Sequence, residues 1–148
     1  MTIAEIYDSF PSQNDCIHLL EKVRWPVRVT CPYCKSRGAT PMPSEQRHHC
    51  NHCRVTFSVT VNTVFHRSHL PIQKWFLALL LFAKDTTSIS VRQLATTLQI
   101  NKNTAEKLSI RIRRALTDAD QRQFLLNIIE RCESQKEKYN HEQEKNGP

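Results

Sequence analysis

Residues 31–53 read CPYCKSRGATPMPSEQRHHCNHC. Two C-x-x-C pairs, Cys31/Cys34 and Cys50/Cys53, are separated by fifteen residues. Between them lie turn-forming residues and very little apolar material, so this stretch cannot be held by a core of its own. Each pair can present two sulfurs from one tight turn, and two such turns brought together make a tetrahedral thiolate cage suited to zinc. A closed four-thiolate site has no open coordination position, so the expected cofactor is one structural Zn²⁺. Its binding energy would substitute for the missing core. A rubredoxin-like iron centre uses similar pairs. Thioredoxin-type redox pairs fit less well, because neither pair heads a helix in a β-α-β pattern. His49 or His52 is near enough in sequence to replace one sulfur, but with four thiols present the softer ligands should win.

Beyond the second pair, Val55, Phe57, Val59 and Val61 alternate with Thr56, Ser58, Thr60 and Asn62. That is the period of a half-buried strand. Lys35, Arg37, Arg54 and His52 flank the cysteines, and two roles suit them equally: offsetting the formal −2 of a zinc tetrathiolate, or touching DNA. His66 and His69 precede Pro71 and suit a hairpin or helix entry.

Charge is unevenly distributed along the 148 residues. Residues 28–116 hold 14 Lys and Arg against 3 Asp and Glu, while each end is −2 within an overall +7. A cationic middle is what a polyanion-binding surface requires. No apolar run reaches membrane-spanning length, and the N-terminus lacks the pattern of a secretory signal, so a cytoplasmic, nucleoid-associated protein is expected. In a reducing compartment paired cysteines point to metal rather than disulfides.

The N-terminal 1–27 reads as two helical pieces broken near Pro11, with Cys16, Leu19, Leu20 and Val23 on one face of the second. Cys16 is thus a small core residue, and His18, off that stripe, is exposed. Pro71 suits the first turn of a helix over 71–85 whose centre, Trp75 to Ala83, is apolar all round.

Residues 90–116, SVRQLATTLQINKNTAEKLSIRIRRAL, have the layout of a helix-turn-helix. Ser90 and Asn101 are placed to cap its two helices, and the turn falls at Gln99–Asn101. In the second helix Ala105, Leu108, Ile112, Ala115 and Leu116 share a face expected to pack on the first helix and on the Trp75 helix. Asn103, Lys107, Ile110 and Arg114 share the opposite face, flanked by Lys102, Arg111 and Arg113. An amide, lysines and arginines can read a major groove, and Ile110 can touch a thymine methyl. Lys102, Asn103 and Lys107 are assigned to bases, and Arg92, Arg111, Arg113 and Arg114 to phosphates.

An amphipathic helix follows over 118–132, with Phe124, Leu125, Ile128, Ile129 and Cys132 as its stripe. That stripe is a candidate homodimer element, its alternative being to dock on its own domain. The polar 133–148 is expected to be a disordered tail.

Taken together, RWP before the first cysteine pair, CRVTFSVT after the second, TVFHRSHLPIQKWF and QLATTLQINKNTA resemble the N-terminal DNA-binding region of bacterial insertion-sequence DDE transposases. That resemblance spans about Phe10 to Leu116. It implies a transposase zinc ribbon followed by a helix-turn-helix that binds terminal inverted repeats, ahead of an RNase H-like domain whose acidic triad binds Mg²⁺. Here a helical segment stands where that domain would begin, so no catalytic residue is carried over and the chain is expected to be silent alone. The expected fold is α+β: an N-terminal helical segment 1–27, a small β zinc ribbon 28–66, a helix-turn-helix unit 67–117, then 118–132 and the tail. The expected partner is double-stranded DNA, with no membrane and no small-molecule substrate. A separately encoded catalytic partner, or a protein-interaction zinc ribbon, are the alternatives.

Overall fold

The computed structural model describes residues 1–84 and 89–147. Its elements are α1 (Ile3–Ser9), α2 (Gln13–Arg24), β1 (Ala39–Met42), β2 (Arg47–Cys50), β3 (Thr56–Phe57), α3 (Ile72–Lys84), α4 (Val91–Leu98), α5 (Lys102–Thr117) and α6 (Ala119–Lys145). An α+β fold is therefore present, with one small antiparallel sheet of order β1-β2-β3. The chain divides into two compact units, residues 14–69 and residues 1–13 with 70–148.

In the 14–69 unit, β1 pairs with β2 in the register Ala39 to Cys50 and Met42 to Arg47. A short 3-10 turn, Pro43–Glu45, and Gln46 in the left-handed region (φ 55°) close this hairpin. Pro41 is tolerated because β1 is an edge strand, where its missing N–H breaks no ladder. The extended strand expected over 55–62 is not formed: β3 covers Thr56 and Phe57 alone, opposite His49 and His48. The alternation predicts burial from Phe57 onward, since Phe57, Val59 and Val61 are buried, whereas Val55, expected on the same face, is exposed. Beyond Phe57 the backbone leaves the ladder for successive turns, Val61 N–H to Ser58 O and Thr63 N–H to Thr60 O. The carbonyls of Val59 and Val61 are taken instead by the Arg24 guanidinium, at 2.7 and 2.6 Å. Period-two patterning reports side-chain direction, and here a side-chain donor supplies what a strand partner would have supplied.

Among the described residues, the regular elements of the second unit are all helices. α1 opens with a capping box between Thr2 and Glu5. α3 is buried over Trp75–Leu80 and at Phe82, while Ala83 and Lys84 are exposed. The helix thus matches the reading of an apolar centre, although Asp85, placed at its end, lies outside the described residues. Gln73 Nε2 donates to Phe10 O at 3.2 Å, and Ile72 N–H to Gln13 Oε1 at 3.0 Å, tying the start of α3 to the chain after α1.

α6 corrects one expectation and decides between two alternatives for another. It continues to Lys145, so residues 133–145 are helix and not a disordered tail; Pro148 lies outside the described residues. Asp118 caps it by accepting from Gln121 N–H, and no glycine or proline interrupts Glu, Lys and Gln, which are good helix formers. Tyr139 donates to Asp8 on α1 at 3.1 Å. Polarity excluded residues 133–145 from a core, but it did not exclude helix. The apolar stripe is also accounted for: Leu125, Ile128, Ile129 and Cys132 are buried where α6 packs on α1, α3 and α5. It is docked on its own unit and is not a free dimer face.

Candidate metal centre and nucleic-acid interface

The two cysteine turns have the same backbone construction. Cys31 N–H donates to Ser36 O and Lys35 N–H to Cys31 O; Cys50 N–H donates to Val55 O and Arg54 N–H to Cys50 O. In each turn the residue after the second cysteine, Lys35 (φ 65°) or Arg54 (φ 67°), is left-handed. An L residue there costs on the order of 1–2 kcal/mol, a strain the surrounding turn must hold. No glycine marked either position, so this repeat was hidden in the sequence.

The turns bring all four Sγ atoms within 4.8 Å of one another. Cys31 and Cys53 approach to 3.7 Å and Cys34 and Cys50 to 3.5 Å. Four sulfurs placed ~2.3 Å from one ion at tetrahedral angles would stand about 3.8 Å apart. The residues therefore fit zinc, and the four cysteines form a zinc-binding site. Neither His49 nor His52 joins that cluster.

Local hydrogen bonds favour the thiolates the metal needs. Cys53 N–H donates to Cys50 Sγ and holds that thiol down at about 6. Burial pushes the Cys31 thiol up, but the N–H groups of Cys34 and Tyr33 outweigh it and the net direction is down. In the metal-free cage, Val55 N–H pulls Cys53 down. Burial and the three neighbouring sulfurs outweigh that pull and drive it up to about 12. A divalent ion removes that last effect, because the Cys53 sulfur then binds the ion instead of keeping a proton to donate to its neighbours.

Behind the cage sits a small aromatic cluster. Cys31, Cys50, Phe57 and Val61 are buried together, with Trp25 packed against them. The His48 ring stacks on Phe57 at 5.8 Å, Trp25 meets both edge-on, and the Arg24 guanidinium lies 5.3 Å over Trp25. His48 Nε2 faces Glu21 Oε1 at 3.4 Å, linking β2 to α2. Arg24 and Trp25 are the first two letters of RWP, and the structure shows what they do: they fasten α2 to the chain after the second cysteine pair. From the sequence alone, Glu21, Arg24, Trp25 and His48 have no assigned role. Cys16 is fully buried, its thiol pushed up to about 12 by burial, and His18 is exposed, both as expected.

In the helical unit, Ser90 and Gln93 form a capping box at α4, Gln99 turns left-handed (φ 55°), and Asn101 caps α5 by accepting from Thr104 N–H at 2.8 Å. Lys74 Nζ reaches Gln99 O at 3.3 Å and supports the turn. Leu94, Leu98, Ala105, Leu108, Ile112 and Ala115 are buried. α5 packs against α4 and α6. Two guanidiniums of α5 rest on rings of α3: Arg111 lies 5.3 Å over the Trp75 ring and Arg113 lies 5.6 Å over Phe82. Arg113 Nε also donates to Ser109 Oγ at 3.2 Å. Burial lowers the pKa of Arg111, which is half-buried, whereas Arg92, Lys102, Asn103, Lys107, Arg113 and Arg114 are exposed.

Residues 11–56 match the family described as "Transposase zinc-ribbon domain". A protein of Halobacterium salinarum, named "Uncharacterized protein in transposable element ISH50", is 33% identical over 111 residues. The match covers 73% of this chain and 37% of that relative, so the chain spans little more than a third of its length. No solved structure matches. Among the described residues, no helix is long and apolar enough to cross a membrane. The match and the cage geometry agree: residues 11–56 are similar to a transposase zinc-ribbon domain, and Cys31, Cys34, Cys50 and Cys53 within them form the zinc site.

Proposed function

We propose that this chain is a zinc-dependent, sequence-specific DNA-binding protein, the terminal-repeat-binding half of an insertion-sequence transposase, which does not cut DNA by itself. The observation that carries this reading is α5. It is a capped helix following a short helix and a left-handed turn, with Asn103, Lys107, Ile110 and Arg114 exposed along one face. Lys102, Asn103 and Lys107 lie toward its N-terminal end, the part of a recognition helix that meets base edges. Arg92, Arg111, Arg113 and Arg114 bind phosphate on this reading, and the rings of Trp75 and Phe82 orient two of those guanidiniums beforehand. Strand cutting and joining then come from an acidic-triad domain outside these 148 residues.

Selection from random duplexes with the zinc-loaded chain tests this. One site should emerge, bound with an affinity that falls steeply with salt. The Lys107→Ala/Arg114→Ala double variant should bind more weakly, with its salt slope reduced by about 0.9 for the phosphate that Arg114 neutralises. Salt-insensitive binding, or a double variant that holds DNA as firmly as the parent, would reject it. A second reading, a ribbon that grips an acidic protein, draws on one feature: Val27 and Tyr33 are 93% and 53% exposed, close in sequence to Arg28 and Lys35. Binding to heparin that equals binding to the selected duplex would favour it.

A further inference from the structure

On the exposed face of α5 one side chain is out of keeping with the rest. Ile110 is 45% exposed, on the side of α5 opposite the buried Ala105, Leu108, Ile112 and Ala115. A β-branched residue on a solvated helix face gives up helix propensity without gaining packing. At about 100° per residue it lies within roughly 60° of Asn103, Lys107 and Arg114, with Arg113 about 60° to one side and Arg111 about 100° to the other. Those two flanking guanidiniums are held on the Phe82 and Trp75 rings, so the direction in which Ile110 points is fixed by α3.

The surroundings decide what can cover it. α5 carries five cationic side chains and one acidic one, Glu106. A second copy of this face would set like charges against each other, whereas a polyanion with an apolar spot between its phosphates complements it. In the major groove of duplex DNA that spot is the C5 methyl of thymine. Resting on the DNA-binding reading above, we infer that Ile110 is a specificity-determining residue that contacts a thymine methyl, so that the bound site contains a thymine required for its methyl group.

The test uses the full zinc-loaded chain and its selected duplex. Each thymine is replaced in turn by uracil, which removes the C5 methyl and nothing else, and each duplex is titrated with wild type, Ile110→Ala and Ile110→Val. At one position the replacement should weaken wild-type binding about fourfold, the factor supplied by burying one methyl-sized group. Ile110→Ala should bind the thymine duplex about that much more weakly and be indifferent to the replacement, while Ile110→Val keeps the discrimination. A selected site without thymine, or replacements that cost all three proteins the same, overturns the inference and leaves the DNA-binding reading standing. Failure of wild type to select any duplex overturns both.

Discussion

In residues 14–69 the central buried cluster is Cys31, Cys50, Phe57 and Val61, and two of those four are metal ligands. In the unit of residues 1–13 and 70–148, Trp75, Phe76, Phe82, Leu77, Leu79, Leu94, Leu98, Ile112 and Leu125 are all fully buried. Small domains with little core need a staple. The first unit uses zinc for that purpose, backed by the Arg24–Trp25–His48–Phe57 contacts, and the second has a large apolar core. Stability in the two units should therefore answer to different perturbations.

The largest effect is expected from the metal. Chelation, or Cys50→Ser, should remove on the order of 10 kcal/mol of folding free energy from the ribbon. Amide dispersion over residues 28–66 should collapse while exchange protection in α3, α5 and α6 persists. Ribbon protection that survives excess chelator would break the comparison. Next comes Trp75→Ala, which should destabilise the helical unit by about 3–5 kcal/mol, read from denaturant midpoints, with one zinc still bound per chain. Loss of zinc from that variant would mean that the two units are not independently stabilised.

A smaller effect sharpens the contrast within the ribbon unit. Four of its thiols must lose their protons to bind zinc, but buried Cys16 must keep its own. Its folded-state pKa is raised to about 12 by burial, above the usual thiol range near 8.5. Its contribution is thus complete below about 8.5 and lost as pH rises toward 12, on the order of 2–4 kcal/mol in all. Urea midpoints at pH 8 and 10.5 should fall less in Cys16→Ala than in wild type; equal falls would show that another group governs the alkaline limb.

Legibility followed the range of the interactions. The helices α4 and α5 were readable almost to the residue, because caps at Ser90 and Asn101 and the turn at Gln99 are made by neighbours in sequence. The zinc ligands were readable because C-x-x-C encodes its own turn. The strand beyond Phe57 was misread, since its carbonyls are claimed by Arg24, 35 and 37 residues away. The last turns of α6 were missed because polarity was taken for disorder, whereas Tyr139 reaches Asp8, 131 positions distant.

By itself the sequence determined the four sulfur ligands, the two capped helices and the cationic middle, all set by residue type at short spacing. Only the tertiary structure decided which cations are free and which are used within the fold. Arg24 is spent on carbonyls, Arg111 and Arg113 rest on aromatic rings, and Ile110 is left uncovered between them. A guanidinium's role depends on what lies within a few ångströms of it, and in a folded chain those neighbours come from distant positions.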